Sequence, residues 1–175
     1  FNKALTINPH NDATYSYGLG YLYRDMNRLD DAETMFKKAV AINPRNDFNY
    51  MGLGDLYRDM GKYKKSEEMF RKAIAINPKS ESYMGLGWLY SRMGENNKAE
   101  AAFQNYLEKI KPKSEVYLGL GLLYQKKGDH SNAEQAFQKS IELNPTLGGV
   151  RALAGLYESE GQTEKVTALL KQYPQ

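Results

Sequence analysis

The sequence has no cysteine, only two histidines and a single tryptophan among its 175 residues. Without cysteine, disulfide bonds and thiolate chemistry are excluded, and a zinc site built from two histidines alone is not expected. We predict that His10 lies in a loop and His130 in a turn, both solvated, and no candidate nucleophile stands with a base. The sequence therefore predicts neither an enzyme nor a bound metal or cofactor.

Long apolar runs and a strong charge imbalance are missing as well. No apolar run approaches the roughly 20 residues that a membrane-spanning helix needs. The net charge of +3 is small for this length, so charge alone does not favour nucleic acid or an anionic membrane as the partner. We expect a soluble protein, cytoplasmic or periplasmic, and because residue 1 is phenylalanine we expect a fragment that lacks its native N-terminus.

What the sequence does have is a block, Gly-Leu-Gly-x-Leu-Tyr, that recurs at a fixed period. The first copy runs from Gly18 to Tyr23, and an altered fifth copy reads Ala-Leu-Ala-Gly-Leu-Tyr from Ala152 to Tyr157. The closing tyrosines are 34, 33, 34 and 33 residues apart: Tyr23, Tyr57, Tyr90, Tyr124 and Tyr157. A period of this size is typical of solenoids built from stacked supersecondary units.

Each period contains two apolar-periodic segments, which predict two helices. In the second period, the apolar face of the second helix is predicted to be Ser66, Met69, Phe70, Ala73, Ile74 and Ile76. Prolines such as Pro44 and Pro78 end the second helices. Asp30, Asp31 and Glu33 are predicted to cap the start of a second helix.

A small residue follows each closing tyrosine by four positions. These residues are Asn27, Gly61, Gly94, Gly128 and Gly161. A helix often ends with one residue in the left-handed conformation, which glycine adopts freely and asparagine tolerates next best. The pattern predicts a tight turn between the two helices.

The combined pattern resembles the tetratricopeptide repeat, in which an aromatic residue, Leu-Gly, Tyr, Ala, Phe, Ala and Pro stand at fixed offsets. The second period carries them as Tyr50, Leu53, Gly54, Tyr57, Ser66, Phe70, Ala73 and Pro78. The resemblance implies an all-α fold, a right-handed superhelical α-solenoid of stacked helix-turn-helix repeats forming one domain over 1–175. It divides the chain into a partial repeat and five full repeats: 1–12, then 13–46, 47–79, 80–113, 114–146 and 147–175.

The glycines of the block admit two interpretations. A dinucleotide fingerprint would need a third glycine and a preceding strand, and neither is present. Each glycine inside a helix costs roughly 0.5–1 kcal/mol relative to alanine, so close helix packing is the expected compensation. Ala152 and Ala154 in the fifth copy favour this second interpretation, because they show that smallness is enough.

One stripe of the first helices carries none of the packing motif. By resemblance to tetratricopeptide proteins, whose first helices line a concave groove, this stripe is expected to face a peptide or partner helix. The predicted binding residues are Tyr17, Tyr21, Arg24, Met51, Asp55, Arg58, Met84, Trp88, Arg92, Leu118, Leu122 and Gln125. Trp, Tyr and Arg are common interface anchors. We expect apolar anchoring, with Arg24, Arg58, Arg92 and Lys126 steering the partner from the margin.

A carboxylate clamp of the kind that the resemblance implies for chaperone-tail binders is excluded. The matching positions are Tyr17, Tyr21, Gly52, Glu81 and Gly85, which cannot supply its lysine, asparagine and arginine groups. The leading hypothesis is a protein-interaction scaffold.

Two alternatives stay open. One is a non-catalytic region of a larger enzyme, such as a glycosyltransferase with such repeats. The other is RNA binding by stacking, against which Asp25, Asp55 and Asp59 stand. Uncapped repeat ends also predict a tendency to self-associate.

Overall fold

The computed structural model describes residues 14–174, with side chains from Tyr17 onward, and these residues form helices and turns without a β-strand among them. The chain divides into two compact units, Phe1–Met93 and Gly94–Gln175. The predicted all-α fold is confirmed. The predicted partial repeat, 1–12, and His10 lie outside the described residues.

The first described element of the first unit is a π-helical segment, Thr14–Gly20, that passes directly into α1, Tyr21–Asp25. Four longer helices follow: α2 Leu29–Ile42, α3 Asp47–Asp59, α4 Tyr63–Ile76 and α5 Ser82–Met93. The π-helical segment and α3 both pack against α2, and α3 and α5 both pack against α4. Each second helix is therefore held between the first helix of its own repeat and that of the next.

The second unit contains five further helices. They are α6 Asn96–Lys109, α7 Ser114–Lys126, α8 His130–Leu143, α9 Leu147–Ser159 and α10 Thr163–Gln172. Within this unit α8 packs between α7 and α9, as α2 and α4 do between their neighbours, and α10 packs against α9. The repetition of contacts follows the repetition of the sequence block.

Phe36 of α2 is fully buried between glycines of two successive blocks. A Cβ atom placed on Gly20 would lie 2.5 Å from Cε1 of Phe36, and one placed on Gly52 would lie 2.6 Å from the same atom. Both distances are far inside van der Waals contact. The two glycines therefore form a socket that admits one aromatic ring from both sides, and the ring links consecutive repeats.

The same socket recurs along the chain. In α4, a Cβ on Gly54 would lie 2.6 Å from Cε1 of Phe70, and one on Gly85 would lie 2.5 Å from it. In the second unit, a Cβ on Gly119 would lie 2.6 Å from Cζ of Phe103. Both phenylalanines are fully buried, so neither ring can swing into solvent to relieve such a contact.

The fifth repeat changes both partners of the socket together. In the fourth repeat a Cβ on Gly121 would collide with Phe137. The corresponding residues in the fifth repeat are Ala154, which is buried, and Leu170, which is 40% exposed. At this position alanine is present where the phenylalanine has been replaced by leucine, whereas at the block's first glycine position Ala152 follows a second helix that keeps its phenylalanine, Phe137. The prediction that the block's glycines are spacers for close helix contact is confirmed.

The turns between helices have the predicted left-handed residue. Positive φ angles occur at Asn27 (57°), Gly61 (71°), Gly94 (76°), Gly128 (76°) and Gly161 (71°). At the end of α3 the Gly61 amide donates to the carbonyl of Arg58 at 3.1 Å, and the Lys62 amide donates to that of Tyr57 at 2.8 Å. This pair of bonds is the Schellman arrangement, which satisfies carbonyls that the helix leaves unpaired.

The buried face of α4 is narrower than predicted. Ser66, Phe70 and Ala73 are buried as expected, but Ile76, the last residue of the helix, is 37% exposed. Ser66 stands where the repeat pattern has alanine, and its hydroxyl donates to the carbonyl of Gly54 at 2.7 Å. The buried hydroxyl is therefore satisfied and does not weaken the core.

Candidate functional site

The predicted binding residues of the first unit are here called the first-unit stripe. They are Tyr17, Tyr21, Arg24, Met51, Asp55, Arg58, Met84, Trp88 and Arg92. The remaining predicted residues, Leu118, Leu122 and Gln125, belong to the second unit.

An aromatic cluster lies at the edge of the first-unit stripe that is formed by the first turns of its helices, here called the first-turn edge. The edge formed by the last turns is called the last-turn edge. Tyr17 is 46% exposed and stacks on Tyr21, with ring centroids 5.7 Å apart. Phe48, which the predicted set did not include, meets Tyr17 edge to face at 5.6 Å and is 39% exposed. Its signal was available, because Phe48 precedes Met51 by three residues and thus continues the stripe by one turn. Large aromatic rings are therefore partly open to solvent at this edge.

Three charged side chains of the stripe, Arg24, Asp55 and Arg58, form a chain of ion pairs with Asp59, which lies outside it. Nη1 of Arg58 lies 2.8 Å from Oδ1 of Asp55, and its Nε lies 3.7 Å from Asp59. Nε of Arg24 lies 3.6 Å from Asp59, and its guanidinium carbon is 4.9 Å from the ring centroid of Tyr21. Burial raises the pKa of Asp55, and the two guanidinium groups oppose that rise. The charges of Arg24 and Arg58 are thus already compensated within the protein.

Negative charge surrounds the aromatic edge. Burial raises the pKa of the Tyr17 hydroxyl, and the carboxylates of Asp47 and Glu81 raise it further. Asp47 is itself buried and accepts a hydrogen bond from Nδ2 of Asn77 at 3.2 Å. The first-turn edge of the stripe is therefore acidic, whereas arginines occupy the last-turn edge.

A cavity of about 370 Å³ opens at this last-turn edge, between α3 and α5. Its lining consists of Arg58, Asp59, Trp88, Ser91 and Arg92. Trp88 is half-buried and Arg92 is exposed. Among the residues whose side chains the structure describes, 17–174, Arg92 forms no ion pair. The cavity thus combines an indole face with one guanidinium group that has no acidic partner in the described chain.

The other predicted residues differ in exposure. Met51 and Met84 are half-buried in the first unit. In the second unit Leu122 is 40% exposed, whereas Leu118 packs against the core formed by α8, α9 and α10, and Gln125 is half-buried. Leu118 therefore has a packing role that the stripe pattern alone did not reveal.

A second cavity, of about 350 Å³, lies in the second unit over Tyr157. Its lining includes Gln138, Ile141, Leu153, Lys165, Leu169 and Tyr173. Most of these residues belong to the second helices α8 and α10, so the cavity is separate from the stripe of the first helices.

A recurring hydrogen bond, here called the tyrosine–glutamate ladder, links consecutive repeats. The hydroxyl groups of four closing tyrosines donate to a glutamate of the preceding second helix: Tyr57 to Glu33 at 3.0 Å, Tyr90 to Glu67 at 2.8 Å, Tyr124 to Glu100 at 3.1 Å and Tyr157 to Glu134 at 2.7 Å. Lysine or arginine side chains lie beside these glutamates: Lys37, Arg71, Lys127 and Lys165. The ladder satisfies tyrosines whose rings are part of the core.

The ladder corrects one expectation. Glu33 was predicted to cap the start of α2, but it accepts the hydroxyl of Tyr57, and the residue at the cap position, Arg28, makes no side-chain capping bond. Burial, together with Glu33, raises the pKa of Tyr57 to about 12. The packing role predicted for Tyr57, with its hydroxyl at the edge of the core, is confirmed by its 5% exposure.

His130 was predicted to lie in a turn, but it is the first residue of α8; its side chain is 46% exposed, in line with the predicted surface position. Its Nδ1 lies 2.7 Å from Oε1 of Glu160, a contact that the sequence did not predict. Across the part of the chain that the structure describes, no three His, Cys, Asp or Glu side chains are grouped so as to hold a metal ion.

Comparison with known proteins identifies the family. Sequence profiles of the tetratricopeptide repeat match residues 13–46, 49–109 and 114–147. The chain belongs to the tetratricopeptide repeat family. No curated protein sequence matches it significantly.

Solved structures share the fold. MamA is 26% identical, with a TM-score of 0.71 over 87% of this chain and 90% of that one. The pilF protein of Pseudomonas aeruginosa is 20% identical, with a TM-score of 0.79 over 94% of this chain and 77% of that one. Yeast Tom70 is 20% identical, with a TM-score of 0.83 over 98% of this chain but only 37% of that one.

Family and fold together define a protein-interaction scaffold made of helical repeats. Among the helices between residues 14 and 174, none combines the length and apolar character that crossing a membrane requires.

Proposed function

We propose that the first-unit stripe binds a peptide or a helix of a partner protein, with no catalytic step on this chain. The observation that carries the proposal is the pairing of two features on one stripe. Tyr17, stacked on Tyr21, is 46% exposed at one edge, and Trp88 lines an open cavity at the other. Exposed aromatic side chains grouped in this way are typical of interfaces.

Comparison between repeats supports a role beyond packing. The residues of the fifth repeat that match the stripe are Arg151, Gly155 and Glu158. Gly155 occupies the variable position x of the Gly-Leu-Gly-x-Leu-Tyr block, and no atom lies within 4 Å of a Cβ placed on it. This slot therefore does not have to be filled for the repeat to pack. Tyr21 and Trp88 occupy the same slot in the first and third repeats. Their size is therefore not a requirement of the repeat, and partner binding explains it.

The proposal is tested by capture of a partner from an extract of the native host. A tagged chain with Trp88→Ala and Tyr17→Ala should retain at most a tenth of the partner, since loss of two interface anchors typically removes about 2 kcal/mol or more. Tyr17 is preferable to Tyr21, because Tyr21 also contacts the buried ring of Phe36 at 5.1 Å.

The matched control is Ile76→Ala, which shortens a 37% exposed side chain at the end of α4, outside the stripe. Circular dichroism should show the same helix content in all variants. Undiminished capture by the doubly substituted chain would contradict the proposal. With a purified partner, Trp88 provides a direct signal, since it is the sole tryptophan of the chain.

Self-association is a second proposal, independent of the stripe. Leu143, Leu147 and Leu170 are 50%, 48% and 40% exposed near the last repeat, so apolar surface is available there. We expect sedimentation equilibrium to give a concentration-dependent mass that Leu147→Gln and Leu170→Gln reduce to that of the monomer. A monomeric mass for the unsubstituted chain at all concentrations would exclude it.

RNA binding has less support, because the two most enclosed arginines of the stripe are held by aspartates. Arg24 and Arg58 are paired with Asp55 and Asp59, and these carboxylates would oppose a phosphate backbone. A role as the non-catalytic arm of a larger enzyme is consistent with the same binding surface.

A further inference from the structure

Arg92 occupies a slot whose charge is inverted between repeats. The slot lies two residues after the closing tyrosine and holds Asp25 and Asp59 in the first and second repeats. There the aspartates lie beside arginines, with Asp59 3.6 Å from Arg24 and 3.7 Å from Arg58. In the third repeat the slot is arginine and the residue before it is serine. The change adds a positive charge without adding a partner for it.

The cavity at this slot has a chemistry of its own. Its lining contains two arginines and one aspartate, so it carries one net positive charge. Nη1 of Arg58 lies 2.8 Å from Oδ1 of Asp55, and the Arg58 side chain is only 19% exposed, so its guanidinium group forms a fixed floor of the cavity. Arg92 is exposed at the rim and, among the residues that the structure describes, makes no ion pair. Trp88 supplies an apolar wall.

We propose that this cavity receives the carboxylate side chain of an aspartate or glutamate in the bound peptide, next to an apolar residue that lies on Trp88. The inference rests on the proposed function and names the chemistry of its partner. A guanidinium group pairs with a carboxylate through two parallel hydrogen bonds, which makes Arg92 the recognising group. The volume of about 370 Å³ is enough for one such side chain and part of its neighbour.

Electrostatics at the opposite edge agree with this orientation. Asp47 and Glu81 act on Tyr17 with negative potential, so an acidic side chain is disfavoured there and favoured at Arg92. The peptide is thereby oriented across the stripe, with its acidic residue toward the ends of α3 and α5. Opposite charges at the two edges are a common means of setting the register of a partner.

The test is selection from a random dodecapeptide library displayed on phage, with the full 175-residue chain as bait. Peptides displayed through their C-terminal end present no free terminal carboxylate, so only side chains can supply the acid. The unsubstituted chain should enrich Asp or Glu beside Leu, Met or Phe. With Arg92→Glu as bait, the acidic preference should vanish and Lys or Arg should replace it.

Lys64→Glu is the matched control, because Lys64 is also exposed and lies on the second helix α4, outside the first-unit stripe. It makes the same change of charge away from the cavity and should leave the acidic preference intact. An enriched peptide, labelled with fluorescein, should then lose roughly tenfold in affinity by anisotropy on Arg92→Gln, and by a similar factor when its acid is changed to the amide. The two changes together should cost little more than either alone.

The failures of the inference and of the proposed function are distinguishable. Apolar peptides that depend on Trp88→Ala but not on Arg92→Glu would overturn the acidic-residue proposal and leave the binding stripe standing. Peptides that are unaffected by both Trp88→Ala and Tyr17→Ala would overturn the stripe itself. Binding of single-stranded RNA that is lost with Arg92→Glu, without enrichment of any acidic peptide, would overturn the peptide proposal in favour of phosphate binding.

Discussion

Substitution of one socket glycine tests how the repeats are held together. Gly54→Ala places a methyl group 2.6 Å from Cε1 of Phe70, a ring that is fully buried and enclosed on its other side by Gly85. Helix propensity alone would make the variant about 0.5–1 kcal/mol more stable. Overpacking a core typically costs about 1–3 kcal/mol. Because the ring has no free direction, we expect the overpacking term to win and the free energy of unfolding to fall.

Gly155→Ala is the matched control, since it makes the same chemical change in a first helix, at the variable position of the fifth copy of the block. No atom lies within 4 Å of a Cβ placed there, so only the propensity term remains. This variant should be about 0.5–1 kcal/mol more stable. Urea denaturation followed by circular dichroism should therefore move the two midpoints in opposite directions at an unchanged denaturant dependence. Equal shifts, or a gain for Gly54→Ala, would refute the socket.

A compensating change extends the test. Gly54→Ala combined with Phe70→Leu recreates the pair that the fifth repeat uses, Ala154 with Leu170. Leucine at position 70 removes the part of the ring that the new methyl group would strike. The double variant should lose less stability than the sum of the two single variants, with an interaction energy of about 0.5–3 kcal/mol. Strict additivity would contradict the contact.

Two further predictions concern the turns and the ladder. Gly61→Ala should lower the free energy of unfolding by about 1–2 kcal/mol, because φ is +71° there and no neighbouring atom obstructs a Cβ, whereas Asn27→Gly, also at positive φ, should not be destabilising in urea denaturation. The hydrogen bond from Tyr157 lowers the pKa of the Glu134 carboxyl despite partial burial, and Lys165 lowers that pKa further. The stabilisation that the ionised carboxylate contributes to the fold is therefore present above the unfolded-state pKa and is lost as the pH falls through the folded-state pKa. Between pH 6 and pH 3 the unsubstituted chain should therefore lose more stability than Glu134→Gln, and parallel stability curves for the two proteins would count against the ladder's contribution.

Features that depend on local backbone conformation could be predicted from the sequence. Gly61 and Asn27 occupy equivalent turn positions, and only a left-handed residue explains a slot restricted to these two types. The spacer role of the block's glycines could also be predicted, because Ala154 showed that size and not backbone freedom is required. Which ring fills the space beside each glycine, for example Phe70 beside Gly54, could be identified only from the packed structure.

Contacts between residues of different repeats were harder to predict. The ladder glutamates Glu33, Glu67 and Glu100 recur at spacings of 34 and 33 residues, so a periodic signal existed, but their partners became visible only when adjacent repeats were packed. The pairing of Arg24 with Asp59 has no such signal, since the two residues occupy different slots of different repeats. Two of the arginines expected to steer a partner are therefore paired within the protein, which the sequence pattern did not predict.

The ring socket has a consequence for how such a chain can grow or shrink in evolution. Phe36 meets Gly52 of the next block, and Gly85 is the equivalent glycine one repeat further on. Loss of residues 47–79 as a unit would bring Gly85 to the place of Gly52, so the ring of Phe36 would again pack against a glycine. Duplication or deletion in whole units therefore conserves the join between neighbours, whereas a break within a unit parts a ring from its glycine. Gain or loss of whole repeats can thus change the number of repeats while each ring keeps its glycine contacts.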